Sequence, residues 1–127
     1  MHSILSTFLL LGALSISSLS AARSHPEKYY QESYADKIGG ETEVRAADGT
    51  RVDILTDVHA IEVDFGDKWA EAVGQSLYYA FQFNRKAGIV LILEDASDYK
   101  YLIRLNSVIE QFDLPIDVLE ITNYDEE

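Results

Sequence analysis

The 127-residue chain is predicted to fold as one α/β domain, a mixed central sheet flanked by helices. Three observations predict it. Between residues 41 and 65, short runs alternate apolar and polar side chains and are separated by turn residues, the pattern of antiparallel strands. After residue 67 the apolar spacing changes to that of a helix, and later it does so again. Between these two stretches lies Gly88-Ile89-Val90-Leu91-Ile92-Leu93, a continuous apolar run typical of a strand covered on both faces.

Taken in order, Glu27 to Ile38 reads as a helix, with Pro26 before it and Gly39-Gly40 as its stop. Glu41 to Ala46 alternates, placing Thr42, Val44 and Ala46 on one face. Asp48-Gly49-Thr50 is a hairpin turn, Arg51 to Thr56 is the returning strand, and His59 to Phe65 is a third β-rich run. Asp67 is placed to cap a helix from Lys68 to about Phe83, whose apolar stripe is Trp69, Ala72, Val73, Leu77 and Ala80. Trp69 is expected as a core anchor. Ser97 to Phe112 repeats the helical spacing through Tyr101, Leu102, Leu105, Val108 and Ile109, and Pro115 to Ile121 is a last strand before an acidic tail. The order is α-β-β-β-α-β-α-β, without internal repeats or a linker.

Residues 1–22 stand apart. They contain no Asp, Glu, Lys or Arg, run apolar from Ile4 to Leu14, and end in Ser18-Leu19-Ser20-Ala21-Ala22. A short apolar region followed by small residues is the pattern of a secretory signal peptide, with cleavage expected after Ala21 or Ala22 and a single domain over residues 23–127. A buried N-terminal helix is the other reading, and a membrane span is disfavoured because Ser dilutes the run. On the first reading the protein is periplasmic or secreted.

Composition removes several chemistries. With no cysteine there is no disulfide, thiolate zinc site or thiol nucleophile. A net charge of −12, from 10 basic and 22 acidic residues, disfavours nucleic acid as a partner held by bulk electrostatics. There is no Gly-rich phosphate loop, no Gly-x-Ser-x-Gly elbow and no His pair at zinc spacing. A protein partner stays open.

What remains is acidic. Asp53 lies inside the second strand, and Glu62 and Asp64 share one face of the third. If those strands pair through Thr56-Asp57-Val58, Asp53 and Glu62 come side by side. Like charges there are unfavourable by roughly 0.2–1 kcal/mol unless a cation lies between them, and Mg²⁺ (or Mn²⁺) suits an all-oxygen site. The next helix carries a polar stripe of Lys68, Glu71, Gln75 and Tyr79. The quieter reading makes Asp53 and Glu62 solvent-facing acids at a sheet edge, and the helix residues ordinary surface side chains.

The strand order, the Asp on the second strand, Glu62-x-Asp64 on the third and Gln75-x-x-x-Tyr79 in the following helix resemble the PD-(D/E)XK nuclease superfamily. The Gln/Tyr spacing is similar to its RecB-like branch, and Arg51 to Ile92 is similar to small uncharacterised bacterial proteins with that core. The resemblance implies a restriction-endonuclease-like fold and Mg²⁺-dependent phosphodiester hydrolysis. It implies that Asp53 and Glu62 hold the metal with the Val63 carbonyl, that Gln75 and Tyr79 serve the site, and that Glu32, Glu41 or Glu43 adds a carboxylate. In one respect the chain departs from the pattern: the position two residues after the Glu, where the family has lysine, is Asp64. Lys68 can take over the cationic role from the helix N-terminus. The alternative is an inactive module of the same fold that binds a protein or small ligand through its acidic face.

Overall fold

A computed structural model describes residues 22–123. The expected signal peptide therefore lies outside the described residues, except for its last residue, as does most of the acidic tail. The elements follow the expected order: α1 (Glu27–Ile38), β1 (Glu41–Arg45), β2 (Arg51–Leu55), β3 (His59–Phe65), α2 (Trp69–Phe83), β4 (Lys86–Leu93), α3 (Tyr99–Phe112) and β5 (Ile116–Thr122). The five strands make one mixed sheet in the order β1-β2-β3-β4-β5. β1–β2 and β2–β3 are antiparallel, whereas β3–β4 and β4–β5 are parallel. Each parallel step is a strand-helix-strand crossover through α2 or α3, as parallel pairing requires.

The helices form two layers. α1 covers one face, packing Tyr30 and Ala35 on Ile54, Ile61, Val63, Phe65, Val90 and Ile92. α2 and α3 cover the other through Ala72, Leu102 and Leu105 on Ala87, Ile89, Leu91 and Leu93. Covered from both sides, β4 is buried from Ala87 through Leu93, as its unbroken apolar run predicts. Trp69 packs against the α2/α3 core as expected.

Local chemistry sets the boundaries. Gly39 ends α1 in the left-handed conformation at φ 71°, donating its N–H to Ala35 O. At the hairpin tip Gly49 takes φ 90°, and the Asp48 carboxylate accepts from the Thr50 N–H at 3.0 Å and its hydroxyl at 2.5 Å. Thr56 shapes the β2–β3 turn, its Oγ1 accepting from Val58 N at 3.2 Å and His59 N at 2.8 Å.

Several boundaries differ from expectation. Asp67 does not cap α2; a single 3₁₀ turn, Gly66–Lys68, intervenes, and no side chain caps the helix. The Asp67 carboxylate instead pairs with Arg23 at 2.6 Å. Close packing explains the tight turn: a Cβ on Gly66 would stand 2.9 Å from Tyr101 Cδ2 and 3.1 Å from Leu93 Cδ2. Likewise α3 begins at Tyr99, after a 3₁₀ turn closed by the reciprocal Asp95–Asp98 capping box. β4 starts two residues early because Lys86 N already donates to Val58 O at 2.9 Å. β5 starts after Pro115, which has no N–H for the ladder.

Leu91 is fully buried at the centre of β4. Replacing it with Ala is expected to cost about 3 kcal/mol, read as a shift of the urea midpoint with an unchanged slope.

Candidate functional site

The sheet forks between β2 and β3. The two strands pair at Leu55↔Ala60 and Ile54↔Ile61, and the ladder stops there. At the next position Asp53 takes over with its side chain: Val63 N–H donates to Asp53 Oδ2 at 2.8 Å. A carboxylate thus replaces a backbone carbonyl in the ladder, and the strands part. Into the fork come Glu62 and Asp64 from β3. Both are more than nine-tenths buried, at 5% and 7% exposure.

Helix α1 and strand β1 close the fork. Gln31, buried on α1, donates from Nε2 to Glu43 Oε1 at 3.0 Å and to the Asp53 carbonyl at 3.1 Å. One turn earlier on the same helix face, Glu27 lies near enough for its charge to act on Asp64. Glu43 sits opposite Asp53 and has a left-handed φ of 54°, uncommon for a residue without a short polar side chain and typical of places where function shapes the backbone. Five carboxyls, Glu27, Glu43, Asp53, Glu62 and Asp64, therefore share one region.

Their environment is costly for charge. Glu62 Oε1 and Asp64 Oδ2 are buried and have no hydrogen-bond partner. Burial, reinforced by the charges of Asp53 and Asp64, pushes the Glu62 carboxyl well above the usual range. Burial also raises Asp53, with the Val63 N–H working in the opposite direction. Asp64 is pushed up to about 7 by burial and then by Glu27 and Asp53, while Lys68 opposes the rise. Glu27 is raised by burial, against the pull of Lys68.

Such a cluster resolves its strain by taking up protons or by taking up cations. Among the described residues no three acid or imidazole groups are already converged on one point. Mg²⁺ does not require that: it is commonly held by one or two carboxylates and keeps several waters. The two unpartnered oxygens, Glu62 Oε1 and Asp64 Oδ2, are buried among carboxyl groups, and oxygen is the donor type that hard divalent cations take.

The other expected residues are placed as follows. Lys68 is exposed at the start of α2, close enough to pull on Glu27 and Asp64 but without an ion pair to either. Gln75 is exposed and makes no hydrogen bond to the cluster among the described residues. Tyr79 is buried against Val52 and Ala60 and meets Tyr78 edge-on, so it serves packing here. Of the three further carboxylates, Glu43 joins the cluster. Glu32 lies on the surface 3.8 Å from Lys28, and Glu41 lines a cavity elsewhere. Sequence reasoning passed over Glu27 and Gln31, although their i, i+4 spacing on α1 was a usable signal. It also read Asp64 as the loss of a lysine rather than the gain of a buried acid.

A cavity of about 800 Å³ lies at the opposite end of β3, with Tyr34, Leu55, Val58 and Ile61 in its wall. There His59 Nε2 and Asp117 Oδ2 pair at 2.7 Å, and the Arg85 side chain is held by the carbonyls of Thr56, Phe83 and Asn84. Glu94, which the sequence marks as a strand end, accepts from Ser24 N, His25 N and the Tyr30 hydroxyl and so anchors the residues before α1.

No protein-family model matches the chain, and no solved structure matches it. A protein of Acanthamoeba polyphaga mimivirus, named as KilA-N domain-containing protein L33, is 31% identical over 98 residues, covering 76% of this chain and 38% of the relative. The chain thus spans well under half the length of that relative.

The raised carboxyls set a pH dependence. Each is more readily protonated folded than unfolded, so its contribution to stability is complete below the unfolded value and is lost as pH rises through the folded one. For Asp64 the window runs from its ordinary 3.8 to about 7. In a chelator the melting temperature is expected to fall by roughly 5 °C or more between pH 5 and pH 8. Glu62→Gln should flatten that slope and raise the melting point at pH 8; an unchanged slope would contradict the assignment.

Proposed function

We propose that the protein is an exported phosphodiesterase or nuclease dependent on Mg²⁺ or Mn²⁺, built on a restriction-endonuclease-like core. The observation that carries the reading is the pair of buried, partnerless oxygens, Glu62 Oε1 and Asp64 Oδ2, beside Asp53 at the fork. The fold supports it: one helix, a three-strand antiparallel meander and two parallel crossovers in the order β1-β2-β3-β4-β5 agree with the family resemblance. The name of the mimivirus relative describes a domain and supplies no reaction.

Asp53 and Glu62 would hold the cation with the Val63 carbonyl. When bound, such an ion polarises a phosphoryl oxygen and lowers the pKa of a bound water. The protein's own part is positional. The Val63 N–H fixes one oxygen of Asp53, Gln31 fixes the Asp53 backbone and Glu43, and the β3 ladder with β4 fixes Glu62. Lys68, exposed beside the acids, is available to a substrate phosphate without first breaking an ion pair. Gln75, exposed two helical turns further on, would meet a substrate rather than the acids. The net charge of −12 favours a short phosphodiester over a long polyanion. Among the described residues no helix is long and apolar enough to cross a membrane.

A second reading, an inactive module of the same fold that binds a protein or small ligand, draws on Asp64 standing where the family has lysine. The test is cleavage of short single- and double-stranded DNA and RNA and of a chromogenic phosphodiester, with Mg²⁺ or Mn²⁺ and with chelator. Asp53→Asn and Glu62→Gln are each expected to lower metal-dependent cleavage by about 100-fold or more, and Lys68→Ala by about 10-fold. Metal binding without cleavage of any substrate would favour the second reading.

A further inference from the structure

We propose that the cavity at the far end of β3 is a binding site for a small organic cation with an apolar body, an arylalkyl- or alkyl-ammonium ion. It is separate from the acidic fork, and its occupancy depends neither on a metal nor on hydrolysis.

Unequal cover makes the cavity. Two helices lie on one face of the sheet, but α1 lies alone on the other and ends at Ile38. Beyond that end, about 800 Å³ opens over the first halves of β4 and β5, between Tyr34, Ile38, Val58 and Leu119. Volumes of that order hold drug-sized ligands. Leu119 and Val58 are 53% and 52% exposed, which leaves apolar surface for a ligand to cover.

The floor has a polar bridge built across it. Ile61, Gly88 and Asp117 stand in one row across β3, β4 and β5. Gly88 carries no side chain there, and a Cβ would stand 3.0 Å from Ile61 Cγ1 and 3.6 Å from His59 Cδ2. The His59 ring therefore crosses β4 at this point, and its Nε2 meets Asp117 Oδ2 at 2.7 Å. That bridge holds one oxygen of Asp117 and leaves Oδ1 without a hydrogen bond among the described residues.

Charge selects the ligand. Three carboxylates line the cavity, Glu41, Asp57 and Asp117, against one guanidinium, Arg85. Arg85 is turned to the chain's own carbonyls: Nε donates to Thr56 O at 3.2 Å and Nη1 to Phe83 O at 2.8 Å. Its charge thus serves the C-terminal end of α2. An anion entering the cavity meets the unopposed acids, whereas an ammonium group is attracted by them while its apolar body covers Leu119 and Val58.

The experiment compares three probes that share one body and differ in the head: phenylbutylammonium, phenylbutanol and phenylpentanoate. Each is titrated at pH 7.5 into ¹⁵N-labelled protein, followed by amide chemical shifts. The ammonium is expected to move the amides of Val58, His59 and Leu119, with a dissociation constant of about 1 mM or tighter. It should bind about 5-fold more tightly than the alcohol, lose that advantage in high salt, and the carboxylate should bind most weakly. Asp57→Asn with Asp117→Asn, both at exposed positions, is expected to bring the ammonium down to the alcohol. Leu119→Lys, at a half-exposed position, sets an ammonium in the cavity; it is expected to fold by circular dichroism and to lose the probe. Equal affinity for the three heads, or tightest binding of the carboxylate, would overturn the assignment. So would shifts confined to the fork, or no shift at about 10 mM probe.

Discussion

The fork between β2 and β3 is the constraint on which the rest depends. A sheet normally satisfies its backbone by strand pairing, and here one rung is made by a side chain instead: Asp53 Oδ2 accepts the Val63 N–H. That substitution opens the sheet just where β3 turns Glu62 and Asp64 inward. It also leaves the Asp53 carbonyl for Gln31, which draws α1 across the opening with Glu27 on the same face. Without the fork, ladder pairing would continue and a buried group of acids would have no room.

The surrounding fold compensates for this. The three apolar clusters lie around the fork rather than in it, and the fully buried strand β4 gives β3 a rigid parallel neighbour through seven consecutive registered positions. Stability stored in the apolar layers tolerates five carboxyls around the fork, two of them with buried oxygens that have no partner. A purely structural site would be expected to satisfy those atoms, since a buried unpaired acceptor costs about 1–3 kcal/mol. Keeping them open is consistent with a ligand that brings its own positive charge.

Much of the fold was legible because its signals are periodic. The alternating runs gave β1 to β3, the change to helical spacing gave α2 and α3, and the six-residue apolar run gave β4. Helix starts were less legible than helix ends: α2 and α3 stop at Phe83 and Phe112 as expected, with Asn84 and Asp113 left-handed at φ 51° and 50° in place of a glycine, but both begin later than the spacing suggests. Asp67 looked like a cap, but the space under Tyr101 demanded a 3₁₀ turn first. At the site, Asp53 and Glu62 were visible as acids inside strands. Glu27 was not, because on sequence alone it is an ordinary first-turn carboxylate, and its role depends on where α1 crosses the fork. Tyr79 followed the helical stripe but was drawn into the core by Val52 and Ala60. Tertiary packing, not local pattern, decided these cases.

The most direct test of the account is a crystal structure of the protein soaked in Mn²⁺, read by anomalous scattering at the fork. The account predicts a peak bonded to Glu62 and Asp53 oxygens at about 2.0–2.3 Å, with Glu62 Oε1 no longer unpartnered. A fork without a peak at saturating Mn²⁺, its carboxyls still crowded against one another, would show that protons alone neutralise the cluster and would contradict the central claim.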